Sequence, residues 1–100
     1  VALYGELSGP DAAAQGEEAR LRIERAEKWL RDHPEDPQLL GALGRLCARA
    51  ELWGKAQNYL EASLSFEPTR AAHLELARLY ERLGRPEDSA AQYRRAAEMP

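Results

Sequence analysis

Of the fourteen basic residues in this 100-residue chain, twelve are arginine, and four of those are spaced to act together. Arg45 and Arg49 are four positions apart, which puts them on one face of a helix. Arg78 and Arg82 repeat the pair 33 residues later. A guanidinium is a planar fork of donors that matches a carboxylate bidentately. Two rungs of such forks can hold an acidic peptide, a free C-terminal carboxylate or the propionates of a porphyrin. The competing reading is a solvated helix face on which Glu75 and Glu81 pair locally with Arg78, since charge on a helix face is common. Codon bias in a GC-rich genome also produces an arginine surplus, which lowers the weight of any single arginine.

The remaining reactive residues point to less. Cys47 is the only cysteine, so an internal disulfide is excluded. Cys47 and His73 are candidate haem or metal ligands on paper, but no second Cys or paired His completes a four-ligand zinc site. His33 sits at a helix end before Pro34, where a solvent-facing imidazole suits the negative end of the helix dipole. No Ser–His–acid or Cys–His set is placed in a cleft with an orienting group, and no G-x-G-x-x-G occurs. The expectation is no catalytic residue, no metal and no cofactor. A net charge of −3 argues against general nucleic-acid binding. The longest apolar runs are four residues, as at Val1–Tyr4, far short of a membrane span. No signal peptide is visible, and the chain starts at Val1 without a Met, so it reads as part of a longer protein.

The elements that must position the arginines are helices. The chain has one Val, one Ile, one Thr and one Phe, while Ala, Leu, Glu and Arg dominate. Val1–Leu7 reads as the end of an earlier helix and Ser8–Asp11 as a turn. A helix follows from Asp11 to Asp32, with Ala19, Ile23, Ala26 and Leu30 on its apolar stripe and Gly16 weakening its start. His33-Pro34 stops it. Asp36 caps a second helix, opened by Pro37, that turns Leu39, Leu40, Leu43, Leu46 and Cys47 inward. After a turn at Glu51, a third helix runs from Leu52 to Phe66 with Trp53, Ala56, Tyr59, Leu60, Ser63 and Leu64 on its buried side. Thr69 caps a fourth, Arg70 to Leu83, and Gly84 is placed for the left-handed conformation after it. Pro86 opens the last, which carries Ala90, Tyr93, Ala96 and Ala97.

The 33-residue offset extends beyond the arginines. Leu43-Gly44 recurs as Leu76-Ala77, Cys47 as Tyr80, Ala56 as Ser89 and Leu60 as Tyr93. A helical hairpin of this period is a solenoid unit that cannot bury its apolar face alone. Gly44 and Ala77 are small enough to bring hairpin helices together, with Ala56 and Ser89 answering from the second helix. Leu60, Tyr80 and Tyr93 are the large residues expected between hairpins. Trp29 and Trp53 are expected to pack at the joints.

Leu40-x2-Leu43-Gly44-x2-Cys47, Ala56-x3-Leu60 and Pro68 resemble the tetratricopeptide repeat. His73-x2-Leu76-Ala77-x2-Tyr80 with Ser89-x3-Tyr93 resembles a second copy. The resemblance implies an all-α, right-handed array: a partial first repeat over 1–36, then full repeats over 37–69 and 70–100. It implies that Cys47 and His73 fill packing slots, and that Arg45, Arg49, Arg78 and Arg82 line a concave groove for a protein or peptide. The carboxylate-clamp version of the family also uses Asn at the groove, whereas the only Asn here is Asn58. Ala26–Pro37, with Leu43–Cys47 and Leu52–Ala56, further resembles the C-terminal domain of bacterial HemY proteins, inner-membrane proteins associated with protoheme IX biosynthesis. That likeness implies a parent anchored in the inner membrane with this part on the cytoplasmic face, as a non-catalytic scaffold. The alternative is direct haem or porphyrin binding by the same arginines. No membrane insertion by this segment is expected, and the expected state is a monomer, although the last helix lacks a capping partner.

Overall fold

The computed structural model describes the backbone of residues 10–100 and the side chains from Gly16 onward. The expected helix end at Val1–Leu7 and the start of the turn at Ser8 lie outside the described residues. Among the described residues there are five helices: α1 (Pro10–Asp32), α2 (Pro37–Arg49), α3 (Trp53–Phe66), α4 (Arg70–Arg82) and α5 (Pro86–Glu98). No strand occurs among the described residues.

The helix starts follow from their caps. Asp36 accepts from the amides of Gln38 (3.0 Å) and Leu39 (3.2 Å), which satisfies two donors that the first turn of α2 leaves free. Thr69 does the same for Ala72 (3.1 Å) at the start of α4. The helix ends are near-duplicates. After α2 the amide of Leu52 bonds Cys47 O (2.8 Å), and after α4 the amide of Arg85 bonds Tyr80 O (2.9 Å). The residue inside each turn is left-handed: Glu51 at φ 61° and Gly84 at φ 70°. All of these pairs are 33 residues apart, so the repeat read in the side chains is also a repeat of backbone geometry.

α2 packs against α3 and α4 against α5; α3 joins the two pairs, α2 touches α4, and α1 leans on α2. The pairs are antiparallel: Ser63 Oγ near the end of α3 donates to Pro37 O at the start of α2 (2.8 Å), and Arg70 Nε at the start of α4 donates to Ala96 O near the end of α5 (3.2 Å). The core runs through Ile23, Leu43, Cys47, Ala56, Leu60, Leu76, Leu79 and Tyr80. Gly44 is closed on by Leu60 of its own hairpin, so the close approach pairs Gly44 with Leu60, and Leu60 packs within the hairpin as well as beneath the next one.

Two expectations about the end helices are corrected. Trp29 is 59% exposed, stacked on His33 at 4.9 Å between ring centroids, so it packs at no joint. Tyr93 is 37% exposed and donates its hydroxyl to Glu81 (2.5 Å) at the rim of the second hairpin. The buried side of α5 is Ser89 and Ala96, with Ala90 and Ala97 outside. The common cause is position: these residues lie on the outer faces of the two end helices, which no further described helix covers.

Candidate functional site

Each arginine pair sits where its helix has no core to face. On α2 the buried positions are Leu40, Leu43, Gly44 and Cys47, which leaves Arg45 and Arg49 exposed. On α4 Leu76, Ala77, Leu79 and Tyr80 are buried, and Arg78 and Arg82 are exposed. Because α2 and α4 touch, the two exposed faces meet, and all four arginines line one shallow concavity of about 190 Å³. Ala48, Leu79 and Trp53 also line it, and among the described residues Glu75 is the only carboxylate in it. The 33-residue spacing thus brings the two rungs into one site.

Local pairing accounts for only one of the four cations. Arg78 Nη1 lies 3.4 Å from Glu75, a long and exposed contact that contributes little in high dielectric. Glu81 is engaged by Tyr93, not by Arg78. Among the described residues Arg45, Arg49 and Arg82 have no carboxylate within salt-bridge range. Arg49 and Arg82 also stand in the last turns of their helices, where a cation is favoured by the dipole in any case. Dipole preference does not explain Arg45 or Arg78, which lie a full turn earlier.

The two other candidates occupy packing positions. Cys47 is fully buried, and desolvation pushes its thiol above the ordinary value, so it is inert at neutral pH. His73 is 7% exposed, and its Nδ1–H donates to Gln92 Oε1 (2.7 Å), which makes it an interhelical tie between α4 and α5. Among the described residues no cluster of three or more His, Cys, Asp or Glu can hold a metal, and no helix is long and apolar enough to cross a membrane.

One polar cluster was not expected from sequence. Glu27 on α1 accepts from Tyr59 Oη (2.5 Å) and Lys55 Nζ (3.0 Å) on α3. The Tyr59 hydroxyl holds the Glu27 carboxyl below the usual carboxylate range, with Lys55 adding to it. Burial, then the hydrogen bond to Glu27, pushes the Tyr59 phenol up. The cluster fastens α1 to the first hairpin; its partners are 28 and 32 residues apart, and no local pattern marks them.

No family model matches the chain, and no curated protein matches it.

Proposed function

We propose that the chain is a non-catalytic protein-interaction scaffold, an array of tetratricopeptide-type hairpins whose α2–α4 groove binds an acidic segment of a partner protein. The observation that carries this reading is the meeting of Arg45, Arg49, Arg78 and Arg82 in one concavity against a single carboxylate, Glu75. Packing does not require that surplus, and a partner's carboxylates complement it through bidentate, charge-assisted bonds. The assignment to a HemY-like parent, assembling or regulating haem biosynthesis at the cytoplasmic face of the inner membrane, rests on the motifs at Ala26–Pro37, Leu43–Cys47 and Leu52–Ala56.

The test is fluorescence anisotropy with a labelled acidic peptide and its Gln-substituted counterpart. The acidic peptide alone is expected to bind, more weakly as salt rises. Arg45→Glu with Arg78→Glu is expected to weaken it at least about tenfold at unchanged helicity. Equal binding of both peptides, or indifference to the double substitution, would remove the groove from the proposal. A shifted Soret band on adding haem, abolished by the same substitutions, would replace it with the tetrapyrrole reading.

A further inference from the structure

The arginine concavity continues into a second one. A cavity of about 270 Å³ opens over the first turns of α2 and α4, and it shares Arg45 and Glu75 with the first as common walls. Together they form one groove along the α2–α4 seam. Both helices begin at the same end of it, since Pro37 and Thr69 line the second cavity while Arg49 and Arg82 line the first.

The two ends differ in chemistry. At the starting end the walls are cut back to Gly41, Ala42, Ala71 and Ala72, with Leu60 and Ser63 also in the lining. A Cβ on Gly41 would stand 3.4 Å from Ser63 Oγ, so even a methyl there would begin to fill the space. Charge also reverses along the groove. Glu67 and Glu75 face the small-residue end with Arg45, whereas four arginines face Glu75 alone at the other. An acidic side chain is therefore repelled from the first end and attracted to the second, and the surplus at the second is balanced by more than one carboxylate.

The separation of the ends follows from helix geometry. At 1.5 Å per residue, Gly41 lies about 9 Å from the level midway between Arg45 and Arg49 and about 12 Å from Arg49. An extended peptide covers that distance in roughly three to four residues at about 3.3 Å each.

Resting on the proposed function, we infer that the groove reads a two-part segment of a partner protein. One apolar side chain of Leu or Met size seats over Gly41, Ala42 and Ala71. A pair of acidic side chains three to four residues away lies on the arginine rungs. The Glu67 and Glu75 carboxylates set the register by excluding acid from the apolar seat.

The experiment uses amidated, labelled peptides in which one Leu is joined to Glu-Glu by zero to six Gly/Ser residues, in both chain directions, with the Leu→Ala peptide as the acid-only probe. The expected result is an optimum in one direction when Leu and the first Glu are about three to four positions apart. There the affinity is expected to be about tenfold above the acid-only probe, as for partial burial of one Leu side chain. Ala71→Leu, at an exposed position in the first turn of α4, is expected to erase that advantage while leaving the acid-only probe unaffected. Ala42→Leu fills the same space from α2 and is expected to act alike. Binding of the acid-only probe with no dependence on spacing overturns this inference and leaves the proposed function standing. Failure of every acidic peptide overturns both.

Discussion

Substituting Gly44 by Ala tests how α2 and α3 meet. In an open helix interior this exchange stabilises by about 0.5–1 kcal/mol, because glycine loses more backbone freedom on folding. At Gly44 the new Cβ would lie 2.6 Å from Leu60 Cγ, 2.7 Å from Leu60 Cδ2 and 3.3 Å from the Leu60 amide nitrogen. Leu60 is 0% exposed and part of the core cluster, and the contact reaches its amide, which belongs to the helix itself, as well as its side chain. The helices must move apart, and overpacking of this kind costs about 1–3 kcal/mol. The clash outweighs the propensity gain and leaves an expected net loss of about 0.5–2 kcal/mol. Gly16 and Gly54 are the controls: neither has an atom within 4 Å of the built Cβ, so Ala there is expected to be neutral or stabilising. Urea unfolding followed at 222 nm, with midpoints compared at constant slope, reads the difference. Leu60→Ala alone is expected to cost about 2–5 kcal/mol, and the double variant less than the two single losses combined, because the smaller side chain makes room for the methyl. If Gly44→Ala behaves like Gly16→Ala, or the pair is additive, the helices do not cross at Gly44 and Leu60 and the packing argument fails.

The turn pair gives a second prediction: Glu51→Gly should stabilise by up to about 1 kcal/mol and Gly84→Ala should cost about 1–2 kcal/mol, since both positions are left-handed; equal and small effects in the urea midpoint would contradict this. The Glu27 carboxyl is held below its unfolded value, so its contribution is complete above about pH 4.3 and is lost as pH falls through the folded value. The stability gap between the parent chain and Glu27→Gln should therefore narrow on acidification below about pH 4.3, and a gap that stays constant from pH 7 to 3 would show that the cluster does not fasten α1. Cys47 should react with a thiol reagent at pH 8 at least about tenfold more slowly when folded than in urea, and equal rates would mean that the first hairpin is open in solution.

Helix starts were the most legible features, because Asp36-Pro37 and Thr69 carry their own hydrogen-bonding logic within three residues. The arginine site was legible for a different reason: a period that matches the stacking of helices converts distance in sequence into neighbourhood in space. Glu51 shows the limit of local chemistry. Glutamate is no left-handed residue by preference, and only its offset from Gly84 marks the position. Trp29 and Tyr93 were misplaced because an apolar residue at helical spacing states that a face exists, not that another element covers it. The Glu27 cluster was invisible because a carboxylate on one helix and a tyrosine on another carry no periodic signal. The small-residue half of the groove was also missed, since Gly41, Ala42 and Ala71 are notable only for what their side chains leave empty.

Every helix packs against its neighbour in the chain; beyond that, α2 touches α4 and the Glu27 cluster ties α1 to α3. Such a topology closes short loops only, so little entropy is spent before contacts form, and refolding should fall in the microsecond-to-millisecond range of locally connected helical proteins. It also orders how the structure opens. α1 and α5 each have a flank with no described neighbour, so their amides should exchange first and those of the inner helices α2, α3 and α4 last. The walls of the groove are then the slowest part of the molecule to come apart, and a bound segment would be released by leaving an intact surface, not by its unfolding.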